Sequence, residues 1–141
     1  MATYTSKPIN LAESGVLIAV RLCAPTVVSA PPPPIDTVAE VNTAAMYTYI
    51  QEGVATSLGL TPMGPVTITA ATRLVYEGYM YRIRLVFPEG GAVEVNAVEV
   101  PYMIRPSKRI KCMIGRDILQ LCVLTYDGRA NAATLDLPFG S

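Results

Sequence analysis

The sequence predicts an all-β protein with one or two short helices, folded as a single domain over residues 1–141. Twelve prolines and ten glycines punctuate its short apolar runs, and β-branched residues dominate those runs. Hydrophobic residues make up 51% of the chain and charged residues 16%, which is typical of a globular domain. A chain of this length buries roughly two thirds of its unfolded surface, so we expect a stable core without disulfides or a metal.

The first half of the chain is predicted to hold three strands and one helix. Short β-branched runs place the strands at residues 16–23, 37–41 and 66–70. The four prolines 31–34 form a polyproline loop between the first two strands, because proline donates no hydrogen bond to a strand ladder. In residues 51–58 the apolar period changes to that of a helix, and Gly59 follows as its cap.

The second half is predicted to be strands joined by tight turns. Alternation from residue 75 to residue 87 predicts a long strand with one apolar face, which turns at residues 88–91. The next strand, 93–100, changes its apolar phase near Asn96, which predicts a β-bulge. Further strands are expected at 110–114, 123–127 and 132–137, with a short helix at 115–122. The last two strands are expected to pair as a hairpin around Asp127-Gly128.

Composition excludes several classes of function. The chain has no histidine, which removes the Ser-His and Cys-His nucleophile systems and the commonest transition-metal ligand. The net charge of zero argues against a nucleic-acid-binding surface. The one basic cluster, of Arg105, Lys108, Arg109 and Lys111, is expected to be a solvated loop. We expect no metal, no cofactor and no nucleic-acid partner.

The cysteines and the apolar segments bear on the compartment. Cys23, Cys112 and Cys122 lack the paired spacing of zinc and redox motifs, so buried reduced thiols are the simplest interpretation. Residues 53–72 carry no charge over a membrane-spanning length, yet their glycines and prolines would leave backbone groups unsatisfied in lipid. The sequence therefore predicts a soluble, cytoplasmic protein with no membrane partner.

A pattern of strand, small-residue turn and short helix occurs twice, at residues 41–58 and 113–121. The second copy reads Met113-Ile114-Gly115-Arg116-Asp117, and a Tyr126-Asp127-Gly128 hairpin comes after its helix. This arrangement resembles the end of the protomer in the retropepsin-like aspartic protease family. The resemblance implies a retropepsin-like acid protease half-barrel that is homodimeric, with Gly115, Arg116 and Asp117 as its structural motif.

The other half of the family signature is a strand that ends in Asp-Thr-Gly-Ala and leads to a helix with a Leu-Gly-Leu exit. Residues 41–60 fit every spacing of that pattern. Asn42 stands where the catalytic Asp belongs, Thr43 follows it, and Ala44 stands where the glycine belongs. The resemblance covers nearly the whole chain and departs from the family at the residues that perform its chemistry.

In the family, one Asp from each subunit meets the other across a two-fold axis, and the pair shares a proton while it activates water. The amide of Asn42 keeps the shape of a carboxyl group but offers neither a base nor a transferable proton. Loss of acid–base catalysis costs on the order of 10² to 10⁴ in rate. The resemblance thus implies an aspartic endopeptidase for polypeptides that is inactive, or nearly so, at Asn42, whether that residue is natural or engineered. The alternative is a non-catalytic peptide-binding or structural β-domain.

The resemblance also implies where a substrate would lie. A flap hairpin would close over it between the strands at 66–70 and 75–87, with Ala71, Thr72 and Arg73 near the tip. Ala45 and Met46 would contact it beside Asn42.

Two residues of the motif keep two interpretations each. In the family, Thr43 anchors the two active-site loops to each other across the dimer, but a turn threonine can equally satisfy its own backbone. Arg116 makes a buried ion pair in the family, often with the residue four positions after the catalytic Asp, which here is Met46. A surface arginine and a different carboxylate partner are the alternatives for Arg116, and a simple cap on the helix that follows is the alternative for Asp117.

Asp36-Thr37 is a second Asp-Thr pair, but it follows four prolines and lacks the glycine, so we interpret Asp36 as dispensable. A single motif in 141 residues supplies half of a family active site, which predicts a homodimer. The terminal segments 3–8 and 134–139 are expected to be free strand edges in a monomer, which pairing between subunits would cover.

Overall fold

The structure, a computed structural model, describes residues 2–6, 8, 10–69, 75–101 and 110–138. In this part of the chain the predicted all-β class is confirmed, since short helices of one turn are the only other regular elements. The strands are β1 (Ala2–Ser6), β2 (Leu17–Cys23), β3 (Ile35–Val41), β4 (Tyr49–Gln51), β5 (Pro62–Thr69), β6 (Val75–Val86), β7 (Ala92–Val100), β8 (Ile110–Ile114), β9 (Val123–Asp127) and β10 (Ala132–Leu137). The helices are α1 (Leu11–Ser14), α2 (Val54–Ser57) and α3 (Arg116–Leu119).

Six strands close into a barrel in the order β2-β3-β8-β4-β7-β6. The barrel closes because β6 is long enough to pair with β7 along one edge and with both β2 and β5 along the other. Strand β5 therefore lies outside the closed ring, as an extension of the sheet beyond β6. In this sheet the strand pairs β3–β8 and β4–β7 are parallel, and the other pairs of adjacent strands are antiparallel.

The chain ends form a second, three-stranded sheet in the order β1-β10-β9. Strand β1 pairs with β10 from Ala2↔Leu137 to Ser6↔Ala133, so β10 is a central strand. The expectation that both terminal segments are free edges in a monomer is therefore wrong for β10, whereas β1 remains an edge strand of this sheet. The two ends satisfy each other's backbone groups within one chain, and Leu135 and Leu137 of β10 are buried in the main core.

The apolar face predicted for β6 is confirmed in its second half. Ile83, Leu85 and Phe87 are almost fully buried in the main core cluster. Val75 and Tyr79, which the alternation places on the same face, are 62% and 55% exposed. They are exposed because this half of β6 pairs with β5 beyond the main core cluster, and the core that it covers lies on its opposite face, where Met80 packs against a second cluster.

The bulge predicted near Asn96 is wrong. Strands β6 and β7 pair in continuous register from Met80↔Val98 to Val86↔Ala92. The apolar phase changes because the end of β7 is buried on both faces, with Ala97 in the main core cluster and Val98 in a second cluster.

The helices are shorter than predicted, or were not predicted. Residues 49–51 form β4, and α2 starts only after Gly53, whose φ of +97° favours glycine. Gly59 ends this helix with a φ of +64°, so its predicted role as a cap is confirmed. Helix α1 was missed, although Asn10 accepts hydrogen bonds from the backbone N–H groups of Ala12 and Glu13 and the Asn-x-x-Glu spacing signals such a cap.

The predicted free thiols are confirmed, but only Cys112 is fully buried, while Cys23 and Cys122 are half-buried. Burial raises the pKa of the Cys112 thiol to about 12 and that of Cys122 to about 11, which keeps both protonated and unreactive near neutral pH. Within the described ranges, no helix combines the length and the apolar character needed to cross a bilayer.

Candidate functional site

The segment between β3 and β4, residues 42–48, is called the Asn42 turn. It begins where β3 ends beside β8. Their parallel pairing sets Val41 opposite Ile114, so both strands end at the same edge of the barrel. The backbone N–H of Asn42 donates to the Ile114 carbonyl at 2.9 Å. The two motifs that lie far apart in the sequence thus meet at one edge.

Gly115 is the point of closest approach between these turns. A Cβ atom at this position would overlap the carbonyl oxygen of Tyr47 and stand 2.9 Å from the carbonyl oxygen of Ala45. Both obstacles are backbone atoms, which cannot rotate away as a flexible side chain can. The glycine of the motif is therefore required by packing between the two turns.

The start of α3 holds the Asn42 turn through three hydrogen bonds. The backbone N–H groups of Arg116 and Asp117 donate to the carbonyls of Ala45 at 2.8 Å and Met46 at 3.2 Å. The Arg116 guanidinium donates through Nη1 to the Thr43 carbonyl at 3.1 Å. Arg116 is exposed, and no carboxylate in the described part of the chain pairs with it, so it is a surface arginine with a backbone acceptor.

Asp117 does more than cap its own helix. Its Oδ2 accepts from the backbone N–H of Thr48 at 2.8 Å, and its Oδ1 accepts from the Thr48 hydroxyl at 2.7 Å and from the Ile118 N–H at 2.8 Å. Thr48 is fully buried, and its hydroxyl also accepts from the Gly115 N–H at 3.3 Å. We call this arrangement the Thr48–Asp117 clamp. Sequence reasoning missed Thr48, and the available signal was a small hydroxyl residue between two tyrosines, just before a short strand.

The side chain of Asn42 is half-buried, and both the oxygen and the nitrogen of its amide group are hydrogen-bonded. Its Oδ1 accepts from the Ala44 N–H at 2.9 Å, and its Nδ2 donates to the Met113 sulfur at 3.3 Å. A carboxylate could accept the first bond but could not donate the second. Neither contact involves an ionisable group, so the described site holds no acid or base at this position.

The other residues predicted for this turn differ in accessibility. Thr43 and Ala44 are exposed, and Ala44 does not have the positive φ that would require glycine. The Thr43 hydroxyl has no hydrogen-bond partner within the described residues, so it does not satisfy its own backbone. Met46 is 59% exposed, whereas the Ala45 side chain is buried in the second core cluster. A ligand could therefore meet Thr43, Ala44 and Met46, but not the side chain of Ala45.

The predicted flap is described only in its arms. Ala71, Thr72 and Arg73 lie outside the described residues. The arms β5 and β6 pair antiparallel up to Thr69↔Val75, with an irregularity between Pro62 and Gly64. Strand β5 is the last strand of its sheet, so its outer edge has no strand partner in the described part of the chain.

Asp36 lies near the start of β3, at the strand entrance predicted for it, and not in the Asn42 turn. It forms a two-point ion pair with Arg21, with Nε–Oδ1 at 2.7 Å and Nη2–Oδ2 at 3.2 Å. The hydrogen bond from Arg21 and its positive charge lower the pKa of Asp36. Both side chains are exposed, which is typical of a surface pair between neighbouring strands.

Across the residues that the structure describes, no group of three or more His, Cys, Asp or Glu side chains is placed to hold a metal ion. No family model matches the sequence, and no curated protein matches it.

Proposed function

We propose that this chain is a retropepsin-like aspartic endopeptidase domain that is catalytically silent because Asn42 occupies the position of the catalytic carboxyl group. The observation that carries the proposal is the contact between the two turns. The Asn42 turn at the end of β3 is hydrogen-bonded to Ile114 at the end of β8 and to Arg116 and Asp117 at the start of α3. The two motifs that resemble the family thus meet at one site, as a shared family origin requires.

The chemistry of this site supports a lack of catalytic activity. Hydrolysis by an aspartic dyad needs one carboxylate to take a proton from water and one acid to protonate the substrate carbonyl. The amide of Asn42 can do neither. Asp117, the nearest carboxylate along the motif, already accepts three hydrogen bonds in the Thr48–Asp117 clamp. We therefore expect no turnover from the chain as it stands.

A homodimer would complete the site, since each subunit brings one Asn42 turn. Two exposed groups at this turn support such an interface: the Thr43 hydroxyl, which has no partner within the described residues, and the Met46 side chain. The chain ends give less support than expected, because β10 is already paired on both sides in its own chain and only the outer edge of β1 is left for a partner strand.

The ligand class that we propose for the surface along β5 and β6, which we call the peptide groove, is an extended polypeptide. Strand β5 offers an outer edge to which a peptide strand can add through backbone hydrogen bonds. Met63 on β5 and Tyr79 on β6 are 60% and 55% exposed, and their apolar surfaces could be covered by a bound peptide. This mode of binding needs no catalytic carboxyl group.

The alternative is a non-catalytic peptide-binding or structural β-domain. It is favoured by the contact from Asn42 Nδ2 to the Met113 sulfur, which an aspartate could not make. A site adapted to an amide is consistent with a domain that retains its groove for binding alone.

The test compares the wild type with Asn42→Asp, alone and combined with Ala44→Gly, against a library of labelled peptides at about pH 4 to 7, around and above the carboxyl pKa range. Asp36→Asn is the control, because it alters an exposed Asp outside the site. Cleavage by either restored variant, and by neither the wild type nor the control, is the expected result. Binding without cleavage by folded restored variants would favour the non-catalytic alternative. A folded protein that neither binds nor cleaves any peptide would leave only a structural domain.

A further inference from the structure

The polyproline run, residues 31–34, is a sequence motif that the proposed function does not use. Proline fixes its own φ and restricts the residue before it to extended conformations, so consecutive prolines form a polyproline II helix. The structure gives these residues neither helix nor strand, and β3 begins only at Ile35. No donor in the described part of the chain reaches the carbonyls of Pro31, Pro32 or Pro33. The four prolines therefore favour a rigid polyproline II rod, and the carbonyls of its first three residues have no donor within the described residues.

One edge of this rod packs against the rest of the protein, and its other edges are exposed. A polyproline II helix has three residues per turn, so Pro31 and Pro34 share one edge, and Pro32 and Pro33 occupy the other two. Pro32 is half-buried, and its Cγ lies 3.7 Å from where a Cβ on Gly59 would be. Pro31, Pro33 and Pro34 are exposed. The Pro31-x-x-Pro34 spacing is therefore presented to solvent.

A hollow of about 280 Å³ borders the Pro31/Pro34 edge. Its lining includes Val28, Cys23 and Arg84 as well as Pro31, Pro34 and the half-buried Pro32. Val27, the neighbour of Val28, is 88% exposed. An aromatic ring that entered this hollow would meet apolar side chains and the Arg84 guanidinium, which attracts the face of such a ring. The surroundings of the rod therefore favour an aromatic partner surface.

We propose that the polyproline run is a docking site for a partner domain whose groove is lined with aromatic side chains. Such grooves stack on the rings of a polyproline II helix and donate hydrogen bonds to its free carbonyls. Here the run is ordered before binding, by its prolines and by the contact of Pro32 at the end of α2, so little conformational entropy is lost on docking. The partner would cover the Pro31/Pro34 edge and Pro33, and one of its aromatic rings would enter the hollow beside Arg84. The run precedes β3, whereas the Asn42 turn follows the end of β3. This proposal therefore does not depend on the proposed function.

The test uses purified SH3, WW and EVH1 domains that carry a tryptophan in the groove. This chain contains no tryptophan, so any change in tryptophan emission reports the partner's groove alone. We expect saturable binding of the full chain by at least one of these domains. Pro31→Ala/Pro34→Ala should weaken that binding by about tenfold or more. Pro88→Ala, which alters an exposed proline in the β6–β7 turn, should leave it unchanged.

Circular dichroism establishes that each variant is folded, and Pro33→Ala is a milder variant in case the double substitution disturbs β3. Asn42→Asp should bind the same domain as tightly as the wild type, which separates this surface from the peptide groove. The proposal is overturned if no domain responds at concentrations up to about 1 mM, the weakest affinity of interest. It is also overturned if the folded proline variants bind as well as the wild type.

Discussion

At the scale of the residue, Gly115 shows how one missing side chain permits two turns to meet. Gly115→Ala should lower the free energy of unfolding by about 3 kcal/mol, because its Cβ would push against the backbone of Tyr47 and Ala45. Urea denaturation measures the change. Gly128→Ala is the matched control, since its Cβ would make only an ordinary 3.7 Å contact with Tyr126, and it should be neutral or slightly stabilising. Equal effects at the two positions would contradict the close approach.

Asp36 provides a second prediction at this scale. Its pKa is lowered by the hydrogen bond and charge of Arg21, so the stabilisation by the ion pair is complete above the unfolded pKa of about 3.9. That stabilisation is lost as the pH falls through the lower folded pKa. Because the pair is exposed, Asp36→Ala should leave folding near neutral pH almost unchanged, and the small difference from the wild type should vanish in acid.

Thermal unfolding of Asp36→Ala and the wild type at several pH values checks this. If the substitution unfolded the protein at neutral pH, Asp36 would have a structural role that its exposed position does not explain.

At the scale of the element, the Thr48–Asp117 clamp joins the chain entering β4 to the start of α3. Thr48→Val keeps the shape of the side chain but leaves the Asp117 carboxylate and the Gly115 N–H each without one partner. It should lower the free energy of unfolding by about 2 kcal/mol, the usual cost of unpaired buried polar groups. Thr125→Val, on the exposed face of β9, should change it by less than about 0.5 kcal/mol.

Chemical denaturation of the two valine variants gives the comparison directly. A neutral Thr48→Val would mean that backbone bonds alone hold the Asn42 turn against α3.

At the scale of the whole molecule, we predict a homodimer that meets at the Asn42 turns. Met46→Glu puts a charge on a side chain that is 59% exposed in the single chain and that the dimer would bury, so it should shift the protein toward a monomer. Val27→Glu, at a position that is 88% exposed on a different loop, should leave the assembly unchanged. Sedimentation at micromolar concentration measures both. A wild type that sediments as a monomer would rule out this dimer.

The candidate functional site was only partly predictable from the sequence. The spacing around Asn42 and Gly115 marked the two turns, because small and polar residues between apolar runs indicate tight turns. It did not indicate that Ala45 is buried in the second core cluster, or that Arg116 bonds to the Thr43 carbonyl. Those outcomes depend on which backbone lies opposite each side chain.

The sequence by itself determined the all-β class, most of the strands, the β9–β10 hairpin and the Gly59 cap, because alternation and turn chemistry act between neighbours along the chain. Only the tertiary structure decided that β1 pairs with β10 in the same chain and that β7 runs without a bulge between two buried faces. It also decided that Thr48 meets Asp117. The β1–β10 and Thr48–Asp117 contacts join residues far apart in sequence, and the burial of both faces of β7 depends on two core clusters that distant strands supply, so no local pattern encodes these outcomes.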